Sequence, residues 1–247
     1  EASYRNLILN QRISLVSPFV ARPVWERCAG APDEQAFRAG PVFIGLDLSA
    51  RNDLTALVMI AQRDGIWHVR PEFFAPLDGI HDRALRDRAP YDLWHQQGLL
   101  TATPGASVDY EAVARRLAEL CDEYPVQAIA FDRWRIDVLK ADAEAMGIEL
   151  PLEPYGQGYK DMAPALDALE ADLLNARLRH GMHPVLTMCA ANAVATTDPA
   201  GNRKRDKRKA TGRIGGMVAL AMARGVAGRG VEAPTENPYA TRGLRTL

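Results

Sequence analysis

Three aspartates stand where a chain needs carboxylates to do chemistry. Asp47 closes the apolar run "VFIGLD", Asp132 directly follows the apolar run "VQAIAF", and Asp53 lies six residues beyond Asp47 in "SARND". An unpaired carboxylate in a buried strand costs several kcal/mol or takes up a proton. A cation, a helix N-terminus or a metal ion must compensate. Two carboxylates brought within a few ångström repel each other, and one of them stays protonated near neutral pH unless a divalent ion sits between them. Mg²⁺ and Mn²⁺ prefer oxygen ligands and keep waters in the remaining positions. Two such ions about 3.5–4 Å apart can clamp the attacking and leaving oxygens of a phosphodiester. Taken alone, each acid has a plainer reading. Asp47 could bond backbone amides, Asp132 could cap the helix beginning in "RWRIDVL", and Asn52-Asp53 suits a hairpin turn.

The elements that would position these acids follow from periodicity and turn residues. Val42–Leu48, Leu54–Ala61 and Ile66–Phe74 read as three strands joined by "SARND" and "QRDG", an antiparallel meander. Residues 79–97 read as helix broken at Pro90, and Leu99–Thr103 as a short strand. Asp109–Glu123 has helical spacing with Val113, Leu117 and Leu120 on one face. Val126–Phe131 reads as strand, Ile136–Met146 as helix stopped by Gly147, and Ile148–Leu152 as strand. Met162–Asn175, Val185–Thr196 and Ile214–Gly225 read as helices. The expected fold class is α/β: a mixed sheet of a three-strand antiparallel meander plus parallel strands, flanked by helices. In such sheets functional groups collect at the carboxyl ends of parallel strands, where Asp47 and Asp132 converge if their strands are neighbours. Residues 1–40, with Pro18, Pro23 and Pro32, read as an irregular lead-in. Residues 41–227 form the folded domain, and 228–247 a flexible tail rich in Gly and Pro.

Composition excludes several classes. Of 247 residues, 47% are hydrophobic and 25% charged, the range of a water-soluble domain. No run of 18 apolar residues exists, so no transmembrane helix is expected. Cys28, Cys121 and Cys189 form no CxxC pair, which points to a reducing, cytoplasmic setting. The start at Glu1, without Met, reads as a piece of a longer chain. Net charge is −1, but "RKRDKRKATGR" (203–213) carries +6 and leaves −7 for the rest. Arg203, Lys204, Arg205, Lys207, Arg208, Lys209 and Arg213 are therefore candidate contacts to nucleic-acid phosphates, the plainer reading being a solvated loop. His180 and His183 form a lone H-x-x-H in which Gly181 and Pro184 favour a loop over a zinc site. "GQG" (156–158) precedes a helix and could hold an anion at its N-terminus. Trp94 and Trp134 read as packing residues.

Five stretches together are more specific than any one. "GLDLSARNDLTALV", "AIAFDRW", "YGQGYKDM", "HGMHPVL" and "KATGRIGGMVALAMA" follow, in order, the pattern of the nuclease domain of tailed-phage large terminases. The chain resembles that family over roughly residues 1–227. The resemblance implies an RNase H-like fold and two-metal cutting of concatemeric double-stranded DNA during genome packaging. It also implies Mg²⁺ or Mn²⁺ as cofactor and the host cell cytoplasm as location. A packaging ATPase domain, a small terminase subunit and a portal are implied as partners. No phosphate loop of the G-x-x-x-x-G-K-[ST] kind is present, so residues 1–40 resemble the segment that joins such an ATPase domain to the nuclease. Asp47 and Asp132 match the family's first two metal ligands and Asp53 an auxiliary acid. The family's third ligand is the Asp of an "IDG" signature opening the last helix; here the signature reads "IGG", with Gly215 at that position. The same residues thus also support a DNA-binding module without cutting activity, or another RNase H-like nuclease of the resolvase or transposase type. A helical glycine costs about 1 kcal/mol against Ala, and an Asp in a first turn favours the helix dipole. On these grounds Gly215→Asp is expected to be neutral or favourable for stability.

Overall fold

The structure, a computed structural model, describes residues 18–48, 54–133, 136–197, 203–205 and 212–229. Strands β1 (Val42–Asp47), β2 (Thr55–Arg63) and β3 (Ile66–Pro76) form the expected meander, each antiparallel to the next. The β2–β3 turn is two residues long, and both Asp64 (φ 53°) and Gly65 (φ 75°) are left-handed. That pairing of angles matches the twist of the flanking strands. On the other side of β1 lies β5 (Val126–Phe131), parallel to it, followed by β6 (Leu152–Pro154). A short β4 (Thr101–Thr103) and β7 (Leu178–Arg179) both run parallel to β3, giving the order β4-β3-β2-β1-β5-β6. Central β1 is buried at all six positions, as expected of a strand covered on both faces.

Helices cover the two faces. On one face Ile44, Leu46, Leu57, Met59, Ile129 and Phe131 meet α5 (Tyr110–Glu123) and α6 (Ile136–Ala145). Asp109 caps α5, its carboxylate accepting from the amides of Glu111 and Ala112. On the opposite face Phe43, Ala56, Val58, Phe73 and Ala130 meet α7 (Tyr159–Leu174), α8 (Pro184–Asn192) and α9 (Gly215–Gly228). Helix α9 is apolar nearly all round and is buried without interruption from Gly215 to Ala223, as a central helix must be. It crosses β1 at Gly45. A Cβ at Gly45 would strike the carbonyl oxygen of Ala219, with the carbonyl carbon at 2.7 Å and Ala223 N at 2.9 Å. Helix and strand therefore touch backbone to backbone.

Four expectations are corrected. Residues 22–39 are not irregular: they form α1 (Arg22–Arg27) and α2 (Glu34–Ala39), which bury Trp25 and Phe37 in the two cores. The strand placed at Ile148–Leu152 begins at Leu152. The Ile148 amide instead closes α6 on Ala143 O (2.8 Å) past left-handed Gly147, and Pro151 O is the acceptor for Ile129 N (2.8 Å). The helix placed at Val185–Thr196 ends at Asn192, and Ala195–Thr197 becomes strand β8. Its partner is β9 (Arg203–Arg205), so part of the basic run is strand and not loop. Between residues 79 and 97 the break at Pro90 separates α3 (Ile80–Asp87) from α4 (Tyr91–Gln96), where Trp94 packs on Tyr91. Trp134 lies outside the described residues.

The Gly45 crossing predicts a steep cost. Gly45→Ala has no side chain to push aside and should lower the unfolding free energy by about 3 kcal/mol. Gly65→Ala, with nothing within 4 Å of its Cβ, should lose only about 1 kcal/mol from its left-handed backbone. Urea denaturation of the two variants checks the ranking.

Candidate functional site

The register of β1 on β5 sets the two acids side by side. Leu46 pairs with Phe131 in the parallel ladder, so Asp47 and Asp132 are the next residues on each strand. Neighbouring strands lie about 4.8 Å apart. Side chains alternate between faces, and since Leu46 and Phe131 share the α5–α6 core, Asp47 and Asp132 turn toward the α9 face. Asp47 is 6% exposed, and Asp132 is half-buried. The side-chain amide of Gln157 donates to Asp47 Oδ1 at 3.3 Å.

The first turn of α9 completes this end of the sheet. A Cβ at Gly215 would lie 3.0 Å from Asp47 Oδ2 and 3.4 Å from Leu54 O. Position 215 thus faces the second oxygen of Asp47, and a side chain there would crowd it. Among the described residues no group of three or more His, Cys, Asp or Glu side chains forms a metal cluster. Asp53 lies outside the described residues. The chemistry of Asp47 and Asp132, two carboxylates at adjoining strand ends, suits one hard divalent ion with waters completing its shell.

The basic run is placed in part. Arg203, Lys204 and Arg205 form β9, while Lys207, Arg208 and Lys209 lie outside the described residues. Arg213 binds Asp87 at the end of α3, Nε to Oδ2 at 2.8 Å and a terminal nitrogen to Oδ1 at 3.4 Å. Arg86 binds the same carboxylate at 2.7 Å, and the Tyr91 hydroxyl donates to it at 3.1 Å. Burial alone would raise the Asp87 carboxyl; the two guanidiniums outweigh it and pull it down to about 2. Arg213 was expected to face phosphates, but its charge is engaged with Asp87, and it anchors the segment that leads into α9.

The "GQG" stretch supplies a site residue that the sequence reading missed. The sequence allows this stretch to hold an anion at a helix N-terminus; in the structure Gln157 meets the Asp47 carboxylate. The sequence signal was a single polar residue between two glycines, following a strand that ends beside Asp132's strand. His180 is structural. Its Nε2 donates to Trp25 O (3.0 Å), its Nδ1 accepts from the Met182 amide (3.1 Å), and its ring stacks on Trp25 at 3.9 Å. Burial lowers both His180 and His183 to about 4.

The family model described as terminase large subunit, endonuclease domain, matches residues 5–230. The chain belongs to that family. The terminase large subunit of Enterobacteria phage HK97 is 56% identical over 228 residues, which are 92% of this chain and 45% of that protein. The crystal structure of the HK97 bacteriophage large terminase superposes with a TM-score of 0.80, covering 91% of this chain and 46% of that chain. Protein YmfN of Escherichia coli (strain K12) is 29% identical over 220 residues, 81% of this chain and 46% of its own length. The large terminase nuclease from thermophilic phage G20c with bound magnesium shares 14% identity at a TM-score of 0.55, over 86% of this chain and 98% of that chain. That likeness shows the fold, which is RNase H-like. This terminase nuclease domain spans less than half the length of the curated relatives it matches.

The buried histidines of the nuclease domain fix a pH dependence. Their folded values lie below the ordinary 6.5, so the unfolded chain binds more protons below that pH. Stability is fully present above about 6.5 and falls as pH drops toward 4. The guanidinium midpoint should be lower at pH 5 than at pH 7.

Proposed function

We propose that this domain is a metal-dependent endodeoxyribonuclease that cuts double-stranded, concatemeric DNA during genome packaging. One observation carries the reading: Asp47 ends β1 and Asp132 directly follows β5, its parallel neighbour in register, with the first turn of α9 against Asp47. The two carboxylates hold the divalent ion, Mg²⁺ or Mn²⁺, and Asp53 joins them as an auxiliary acid. The bound ion supplies positive charge to the phosphodiester oxygens and lowers the pKa of the attacking water. Asp47 is 6% exposed, and attraction between a carboxylate and a cation is strong where bulk water is largely excluded.

In active family members two ions share three carboxylates. With Gly215 in place of the third, this chain holds one ion well and a second weakly, and cutting is slow. Gly215→Asp would restore the ligand. Its Cβ would sit 3.0 Å from Asp47 Oδ2, so without metal the two carboxylates repel. The substitution then destabilises the metal-free domain and is compensated by Mn²⁺, a revision of the neutral effect expected from helix propensity alone. The reading in which the domain binds DNA without cutting it draws on the same glycine.

Duplex DNA is held by the hairpin carrying Arg203, Lys204 and Arg205 with Lys207, Arg208 and Lys209 beyond it. Arg213 steadies its base through Asp87. A packaging ATPase domain joined through residues 1–40, a small terminase subunit and a portal are the proposed partners, in the host cell cytoplasm. Residues 228–247 form the proposed tail.

Nicking of supercoiled plasmid with Mn²⁺ tests the site. Asp47→Asn should abolish cutting, and Gly215→Asp should speed it roughly tenfold or more. Equal rates for Gly215→Asp and the parent would remove position 215 from the ligand set. Uncut plasmid with both would leave the non-cutting module as the function. Separately, neutralising Arg203, Lys204, Lys207 and Lys209 should weaken duplex binding for all sequences alike. The salt slope should flatten by about one unit per lost phosphate contact, and an unchanged slope would make the run a solvated surface.

A further inference from the structure

We propose that Gln157 is a positioning residue for Asp47: its amide holds Oδ1 so that Oδ2 faces the ion site beneath position 215. The inference rests on the metal-dependent reading above and assigns a role to a residue outside the proposed ligand set. A carboxylate only accepts hydrogen bonds, and the side-chain nitrogen of Gln157 is a donor. The contact is 3.3 Å to Oδ1. The other oxygen, Oδ2, is the one nearest Gly215.

The loop that delivers Gln157 is tied to the elements that carry the rest of the site. Tyr155 N donates to Phe131 O at 2.7 Å, one residue before Asp132. The Tyr155 hydroxyl donates to Asp161 O at 2.9 Å. Arg229, just past α9, binds the Asp161 carboxylate at 2.8 Å and lies over the Tyr155 ring at 4.2 Å. Two glycines make these approaches possible. A Cβ at Gly156 would strike the Asp161 carboxylate, and one at Gly225 would strike the Tyr155 hydroxyl. Position 157 is therefore fixed relative to β5 and α9 together.

The choice of an amide has an electrostatic consequence. Elsewhere in the fold buried aspartates are met by arginines: Asp172 by Arg224 at 2.7 Å, and Asp87 by Arg86 and Arg213. A guanidinium neutralises the carboxylate it meets, whereas the neutral amide of Gln157 orients Asp47 without itself adding a positive charge. Partners of this kind behind a metal ligand typically contribute 10–100-fold in metal affinity.

The test uses Mn²⁺ as probe. Loss of the free-ion electron paramagnetic resonance signal gives its affinity for the whole chain, for Gln157→Met and for Asp47→Asn. Duplex-DNA affinity in EDTA and the melting temperature are measured on the same proteins. Gln157→Met keeps the length of the side chain and removes the donor. It should weaken Mn²⁺ binding about tenfold while DNA affinity and melting temperature stay at parental values, a split that a merely structural role would not produce. The same drop is expected in the Gly215→Asp background, where the ion is held more tightly. Unchanged Mn²⁺ affinity in Gln157→Met, with affinity lost in Asp47→Asn, overturns the positioning role and leaves the metal reading standing. Parental Mn²⁺ affinity in Asp47→Asn overturns the metal reading and this inference with it.

Discussion

The contact on which the rest of this structure depends is the crossing of α9 over β1 at Gly45. No side chain separates the two backbones there, because a Cβ would overlap Ala219 O. The crossing also sets the register of the site. Gly215 is four residues before Ala219, about 6 Å back along the helix. Asp47 is two residues beyond Gly45 on the same face of the strand, about 6.6 Å forward. Helix and strand run in opposite senses, so contact at Gly45 and Ala219 brings position 215 onto Asp47. The observed 3.0 Å from a Gly215 Cβ to Asp47 Oδ2 follows from those two rises. A residue with no functional group thereby decides where the functional groups meet.

Three buried or half-buried aspartates, Asp47, Asp87 and Asp172, show how one side-chain type is put to different uses. Asp172 and Asp87 each sit against two guanidiniums, and stripping both from buried Asp172 would strand its charge. These pairs hold elements together: α7 to α9 through Arg224, and α3 to the start of α9 through Arg213. Asp47 accepts from the neutral amide of Gln157. Gln157, Arg213 and Arg224 each come from a part of the chain distant from the acid they meet, and so the pairing is invisible in a local reading of the sequence.

That contrast explains what could be read before the fold was known. The meander, α5 and β5 were legible because their signals are local: apolar runs, a turn at left-handed Gly65, and the helical spacing of Val113, Leu117 and Leu120. The meeting of Asp47 and Asp132 was legible as well, since both end apolar runs and one parallel pairing suffices to join them. Contacts set by distant residues were not. Arg213 meets an acid 126 positions away, and Gln157 one 110 positions away. Helices α1 and α2, six residues each, are too short to declare themselves by periodicity and exist because Trp25 and Phe37 are buried by other elements. The basic run looked like a single loop because its charge hides a β-strand whose partner, β8, was itself read as helix.

The placement of that basic run relative to the carboxylates follows from the chain itself. Only Ile214 separates Arg213 from Gly215, so the segment bearing +6 ends at the rim of the site, while the rest of the chain carries −7. A polyanion approaching such a surface is repelled by the body and attracted at one edge, and the attraction weakens with salt over about 10 Å. Attraction alone would not orient a backbone against Asp47 and Asp132, because a freely swinging hairpin could hold phosphates anywhere within its reach. The Asp87 pair, together with Asn192 donating to Arg213 O at 3.2 Å, pins the hairpin's base to α3 and α8. The same residue that closes the basic run therefore fixes it beside the first turn of α9. Loss of Asp87 would cost orientation more than attraction, since it removes an anchor while adding to the net positive charge of the edge.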